Sequence, residues 1–276
     1  MLPSFPAILA LSIPLSQATA SPQSRALAYS TNVTVQLTVA REPRAKQPEQ
    51  PGEKAPTTPV APAAPMPPLV SRSFTGQVAL RPPGSALIRV NDEKRVERQR
   101  LTINSQTAVL WQAATKAGQP SLFKELQFAG AADSQASEGK DRLTFLLSKT
   151  ALLDPLSAYI LSGDNPRPAL EQQGVTTWTT RPDSTMADGT PVTILMATDD
   201  KDPNRGKPRR TYIFAYGKQD KLLRRFYSEV YQPDGTIKKR TETYTNVQLN
   251  PNLDERLFAF VPPPSRSLSS KAKPQV

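Results

Sequence analysis

Most of the chain alternates. From Asn32 to Val39, the residues Val33, Val35, Leu37 and Val39 interleave with Thr34, Gln36 and Thr38. From Ser73 to Leu80, the residues Phe74, Gly76, Val78 and Leu80 share one side. A period of two sends successive side chains to opposite faces of an extended chain, so both segments read as strands with one covered face. The same pattern predicts strands over 86–91, 98–103, 107–114, 141–148, 175–180, 191–198, 210–217, 222–232 and 236–249. Pro82-Pro83-Gly84, Asn104-Ser105, Asp188-Gly189 and Asp234-Gly235 separate them, and the Asp-Gly pairs suit hairpins because both residues tolerate positive φ. Two stretches depart from alternation. After Pro120, Leu122, Phe123, Leu126 and Phe128 fall near helical spacing, which predicts a helix over 120–130. Over 151–162, Leu152, Leu153, Leu156, Tyr159, Ile160 and Leu161 do the same, with Pro155 in the first turn, where proline is tolerated. Strands around two short apolar helices predict a mainly β (α+β) domain, an antiparallel sheet with helices on one side.

The late strands differ in their faces. On 237–249, Lys238, Arg240, Glu242, Tyr244, Asn246 and Gln248 share one side, while Ile237, Val247 and Leu249 flank a threonine row on the other. That reads as a strand with a solvated face. On 210–216, one side carries Tyr212, Phe214 and Tyr216 and the other Ile213 and Ala215, so both sides need cover. A sheet curved around an apolar hollow with a helix as lid gives that cover, and so does an ordinary core.

Between the first two strands the composition changes. Residues 43–68 hold nine prolines in 26 positions, filled out mostly by Ala, Glu, Gln, Lys and Thr. Such a stretch buries too little apolar area to offset its ordering entropy and favours polyproline II. It reads as a disordered insert, 41–69, within one sheet. Residues 1–20 carry no charged side chain; an apolar run from Phe5 to Leu15 and the small residues Ala18-Thr19-Ala20 read as a signal peptide with its cleavage site. The Ser/Lys/Pro-rich end, 265–276, reads as a disordered tail. One domain over 21–264 is the expected organisation, exported to the periplasm or otherwise outside the cytoplasm.

Composition narrows the chemistry. The 276 residues include no Cys and no His, which excludes disulfides, thiolate or imidazole metal sites, and Cys- or His-based catalysis. Formal net charge is +11, with basic groups at Arg205/Lys207/Arg209/Arg210, Lys218/Lys221/Arg224/Arg225 and Lys238/Lys239/Arg240 on consecutive strands or turns. For an exported chain an anionic envelope surface fits this charge better than nucleic acid. Asp183, Asp188, Asp199, Asp200 and Asp202 cluster in sequence, but in a Lys/Arg-rich stretch where salt pairing accounts for them. Asp200-Lys201-Asp202-Pro203-Asn204-Arg205-Gly206 spaces oxygens like a calcium loop, yet its glycine is one place late and it reads as a polar hairpin tip. No enzyme activity, metal or cofactor is expected.

The closing run Asn250-Pro251-Asn252-Leu253-Asp254-Glu255-Arg256-Leu257-Phe258-Ala259-Phe260-Val261-Pro262-Pro263 resembles the end of the periplasmic lipoprotein-carrier (LolA-like) superfamily, where a strand ends in Asn-Pro and the chain finishes Phe-x-Phe-x-Pro-Pro. Gly76 to Pro82 followed by Leu87-Ile88-Arg89-Val90 is similar to the family's first hairpin, and Thr107 to Gln112 with Trp111 to its next strand. The resemblance implies a curved, incomplete antiparallel barrel with an apolar concave face under short lid helices, a hollow that holds acyl chains in the best-known members. It also implies that Arg81, of the Arg-Pro pair, holds carbonyls of the lid. The expected lining is Phe74, Trp111, Phe145, Leu147, Tyr212, Phe214 and Phe226, with Leu156 and Ile160 from the lid. The expected role is non-catalytic binding of a lipid, an acyl chain or a lipidated partner by a monomer. The alternative is an envelope interaction or structural protein without a cavity, docking through its basic strands and insert.

Overall fold

Alternating residues become strands nearly everywhere they occur. The computed structural model describes residues 28–41, 70–81, 84–104, 107–114, 121–127, 147–161, 165–202 and 206–261. Six strands come first: β1 (Tyr29–Arg41), β2 (Val70–Arg81), β3 (Ser85–Asn91), β4 (Glu97–Ile103), β5 (Thr107–Gln112) and β6 (Leu122–Gln127). Two short helices follow, α1 (Pro155–Leu161) and α2 (Arg167–Gln172). Then come β7 (Val175–Thr185), β8 (Pro191–Asp199), the short β9 (Lys201–Asp202) and β10 (Lys207–Pro208), β11 (Arg210–Gly217), β12 (Leu223–Tyr231) and β13 (Thr236–Leu249).

Eleven strands form one antiparallel sheet in the order β6-β5-β4-β3-β2-β1-β13-β12-β11-β8-β7. The first strand therefore sits mid-sheet, joined to the last along almost its whole length, from Tyr29 opposite Leu249 to Arg41 opposite Thr236. The sheet curves without closing, since β6 and β7 remain edges. This is the architecture that the LolA-like resemblance implies. The hairpins at Asp188-Gly189 and Asp234-Gly235 form as expected: both glycines have positive φ, and each aspartate side chain accepts the backbone N–H two residues on. Lys201–Asp202 and Lys207–Pro208 form the small β9–β10 ladder, with Asp202 held by Arg209 at 2.7 Å.

Two expected elements need correction. The helix expected over 120–130 is the edge strand β6, in register with β5 from Leu122 opposite Gln112 to Gln127 opposite Thr107. Leu122, Lys124 and Leu126 also alternate with Phe123 and Glu125, and pairing with a free sheet edge satisfies the backbone over six residues where an isolated helical turn would not. The strand expected over 141–148 does not reach its described end, because the chain is helical at Leu147 and turns from 148 to 153. The expected leader, insert residues 42–69 and tail lie outside the described residues, as does Phe145.

The register separates two faces. On the concave face, Val33 and Val35 of β1 lie beside Val78 of β2, Ile88 and Val90 of β3, and Leu101 of β4, all buried. The 147–153 turn and α1 lie over this face and add Leu147, Leu152, Leu153, Leu156, Ala158 and Ile160 to the same core. The closing segment packs on the convex face instead. There Phe258, in a 3₁₀ turn over Glu255–Phe258, is buried against Ala79 and Leu87, and Phe260 meets Phe123 edge-on at 5.2 Å. The Phe-x-Phe pattern thus staples the end of the chain to the back of the sheet.

Gly76 explains one close approach. A Cβ there would meet Leu152 Cδ2 at 2.7 Å as well as the carbonyl oxygen of Arg89, so the missing side chain admits the covering leucine. Gly76→Val is expected to destabilise the protein by about 1–3 kcal/mol, the usual cost of overpacking. Urea denaturation checks this, and an unchanged midpoint would contradict the packing of Leu152 on the sheet.

Candidate functional site

The site is the concave face and what covers it. Neighbouring strands place residues in rows that cross the sheet, each row on one face. One row runs Phe74, Val35, Glu242, Phe226, Phe214 and Leu195; the next toward one end runs Leu37, Arg240, Ser228, Tyr212, Ala197 and Trp178. Phe214 and Phe226 are fully buried with ring centroids 5.5 Å apart, and Tyr212 is 5% exposed. The structure therefore brings Phe74, Tyr212, Phe214 and Phe226 together with Leu147, Leu156 and Ile160 around one apolar face. Trp111 is not among them. Its neighbour Leu110 packs toward this core, so alternation turns Trp111 to the convex face, opposite Arg100 and Phe123.

A carboxylate stands at the middle of the apolar rows. Glu242 has no solvent exposure. Its Oε1 accepts from Arg240 Nε at 2.5 Å and from the backbone N–H of Asp154 at 2.6 Å, while Oε2 accepts the Tyr244 hydroxyl at 2.5 Å. Arg240 also donates to the carbonyl of Ala151 at 3.0 Å, and the Ala151 N–H donates to Gln99 Oε1 at 2.8 Å. These bonds join the sheet to both ends of the turn that leads into α1. Asp154 then caps α1 by accepting the Leu156 N–H at 3.0 Å. The solvated face expected on 237–249 is thus corrected: at 240–244 the polar side faces inward, where an arginine, a glutamate and a tyrosine satisfy one another. A bulge follows, with Asn246 at positive φ and the register slipping between Ser30 and Asn32, and it returns Val247 to the core side.

Arg81 has other work. Its guanidinium donates to the Leu253 carbonyl, pairs with Glu255 at 3.1 Å and lies 5.0 Å from the Phe258 ring centre. It holds the closing segment, and the arginine bonded to a carbonyl of the covering turn is Arg240. Arg240, Glu242 and Tyr244 were missed because their side of the strand carries no aliphatic residue. The available signal was their i, i+2 spacing, which sets opposite charges side by side on one face where they can be buried as a pair. Trp178 was missed too; it packs toward the core beneath Arg167 of α2, 5.6 Å from its ring centre.

Burial sets the electrostatics. Desolvation lifts the Tyr29, Tyr216 and Tyr244 phenols well above their ordinary range, so all three stay neutral. Desolvation, with Glu242 nearby, also raises Asp154. The basic groups are less free than the sequence suggests. Arg209, Lys218, Arg224, Lys239 and Arg240 pair with Asp202, Asp183, Asp220, Glu229 and Glu242. Of the clustered aspartates, Asp183 is held low by Lys218, Asp188 caps its turn, Asp199 accepts the Arg210 N–H and Asp200 bonds Thr176. Each is bound to its own neighbour. Among the described residues no group of three acidic side chains is placed to hold a metal ion, and no helix is long and apolar enough to cross a membrane.

No protein-family model matches the chain, and no curated protein does. Among solved structures it is similar to a chain of the Pseudomonas aeruginosa MucA/MucB complex, at 10% identity and TM-score 0.39 over 89% of this chain and 59% of that one. It is also similar to the LolA superfamily protein NE2245 from Nitrosomonas europaea, at 10% identity and TM-score 0.31 over 84% of this chain and 90% of that one. A third is a putative outer membrane lipoprotein-sorting protein domain from Vibrio parahaemolyticus, at 10% identity and TM-score 0.22 over 83% and 88%. These likenesses concern the course of the chain.

Two outcomes follow from the buried pair. Arg240→Met is expected to cost about 3–5 kcal/mol, because it strands Glu242 without its cation. The double variant Arg240→Met/Glu242→Leu is expected to lose less in the same urea titration, and equal losses would count against the pairing. Asp154 supplies a pH test. Its folded pKa lies above the reference 3.8, so its contribution is complete below that pH and is lost as pH rises through the folded value. Asp154→Asn keeps a capping oxygen without the charge, so its melting temperature should gain on the wild type as pH rises from about 4. A constant difference across pH would contradict a raised Asp154.

Proposed function

We propose that the protein is a non-catalytic carrier or sensor that takes an acyl chain, or the acyl chains of a lipidated partner, against its concave face. The observation that carries this reading is the kind of cover the face has. Two aromatic-rich rows lie under a short helix and a turn whose buried apolar side chains, Leu147, Leu152, Leu153, Leu156 and Ile160 among them, occupy the face that an acyl chain would take. That cover is tied to the sheet by a compact polar set, Arg240, Glu242, Asp154 and Gln99, rather than by further strands. A segment that trades leucines for methylenes and keeps its polar tether can open and close with little net change in buried area. Burying a 16-carbon chain contributes about 0.8 kcal/mol per CH₂, or roughly 10 kcal/mol before ordering costs. The lining proposed is Phe74, Leu147, Leu156, Ile160, Tyr212, Phe214 and Phe226, with Trp178 at the rim.

The leader expected over 1–20 fits the same role, since an exported chain works in an aqueous compartment where an acyl chain needs a water-excluding surface. A monomer is the expected state, and an anionic envelope surface is a further candidate partner through the basic groups of the late strands and turns. The second reading, a docking protein without a ligand, draws on the full burial of the covering leucines, which fits a permanent core equally well.

Solvent extraction and mass spectrometry of the purified protein should recover acyl lipid, and a fluorescent fatty-acyl probe should bind with micromolar affinity. Arg240→Ala, which loosens the tether, should speed probe entry. A lipid-free protein whose titrations stay flat in both forms would favour the docking reading.

A further inference from the structure

The concave face is closed at one end and open at the other. Where β1 begins, Tyr29, Leu80, Ala86, Ile103 and Ala108 stand opposite one another across β1 to β5, and none is more than 7% exposed. Toward the other end of β1 the cover gives out. Val35 has no exposure, Leu37 is half-buried and Val39 is 36% exposed, while on β2 Val78 is at 0% and Val70 at 46%. Unbroken register places Val70, Val39, Lys238 and Val230 in one row on this face, with Arg72, Leu37 and Arg240 in the row before it. Arg41, two residues beyond Val39, follows on the same side. Arg240 is committed to Glu242, but Arg72 and Lys238 are exposed and have no acid partner among the described residues. Two acids stand near: Glu93, whose Oε1 accepts the Ser73 N–H at 3.1 Å, and Asp234, in the turn before Thr236, which lies opposite Arg41. Set against Arg41, Arg72 and Lys238, these leave the described rim with one positive charge in excess.

We infer that this open end receives the head of the bound acyl ligand, and that the head is an anionic phosphate held by Arg72 and Lys238. This rests on the acyl-binding reading above and adds the direction in which the ligand lies and the charge it carries. An amphiphile needs a water-excluding surface for its chain and water for its head. The chain therefore lies against the covered rows, and the head at the end where valines give way to cations. A phosphate diester carries one negative charge, and its free oxygens accept from guanidinium and ammonium alike. One charge matches the excess. Flexible side chains at a wet rim hold it without the desolvation cost of a buried ion. A zwitterionic head brings its own cation to a rim that already has one too many.

The test compares two lysolipids by calorimetry with the full chain, below their micelle-forming concentrations. Lauroyl lysophosphatidylglycerol is anionic and lauroyl lysophosphatidylcholine zwitterionic, and they share chain, ester and phosphate. At low salt the anionic lipid should bind about fourfold more tightly, the worth of roughly one uncompensated cation at about 5 Å in water. Added salt should shrink the difference. Arg72→Gln/Lys238→Gln should abolish it while keeping the thermal midpoint and the affinity for the zwitterionic lipid. Arg225→Gln, which removes a like charge from the convex face, should leave it intact. Equal affinities for the two lysolipids overturn the anionic head and leave the acyl trough standing. So does a preference that survives in the double variant or falls as far in Arg225→Gln. Inorganic phosphate at constant ionic strength should not displace the anionic lysolipid; displacement makes free phosphate the occupant and overturns the lipid head. Failure of both lysolipids to bind overturns the trough and the rim site together.

Discussion

An open, curved sheet has one face that must be covered, and in this protein the cover is held by a buried charge pair. The row that crosses the sheet from Phe74 to Leu195 is apolar except at Glu242, and a lone carboxylate there would be untenable. Arg240, Tyr244 and the Asp154 N–H satisfy it, and in doing so they fix where the covering turn sits. A wholly apolar contact would bury as much area without specifying a position. The pair trades some stability for a defined attachment, and that attachment gives a short helix a single place on a broad face.

Charge elsewhere follows the same economy. The chain is strongly basic, but several of its cations on the late strands and turns are matched by nearby acids: Lys218 by Asp183, Lys239 by Glu229, Arg209 by Asp202. Such surface pairs add little stability individually. Their effect is to lower the local field, so net charge overstates how attractive this side of the molecule is to an anionic surface. The two faces of the sheet have also divided their work. The concave face carries the lid and the candidate ligand surface, and the convex face takes the end of the chain through Phe258, Phe260 and Arg81.

Much of this was readable along the chain. The strands from Val33 to Leu37 and from Phe74 to Val78 show their covered faces because aliphatic and aromatic residues alternate there with polar ones, and burial follows that alternation until Ala79, which Phe258 covers from the other face. The Asp-Gly turns are local chemistry and form where expected. Tyr212 and Phe214 of β11 and Phe226 of β12 lie on the concave face. Segment 120–130 went the other way. Six residues that fit either period became a strand because β5 offered a free edge, which no local pattern records. Trp111 was misassigned to the lining for a related reason: alternation says that Trp111 and Leu110 point apart, but not which of them meets the core.

The amino-acid order alone specified the periodicity, the turns, the absence of thiol and imidazole chemistry, and an apolar helix within 151–162, which the structure narrows to Pro155–Leu161. These are properties of neighbours a few bonds apart. The inward turn of Arg240, Glu242 and Tyr244 and the attachment of Arg81 to the closing segment came only with the assembled sheet. Each depends on which face of a strand is covered, and that depends on residues from β1, α1 and β13, separated by up to about two hundred positions and brought together by pairing the first strand with the last. A charge on a strand is solvated or buried according to what lies above it, and what lies above it is settled by long-range contacts rather than by the residues at its side.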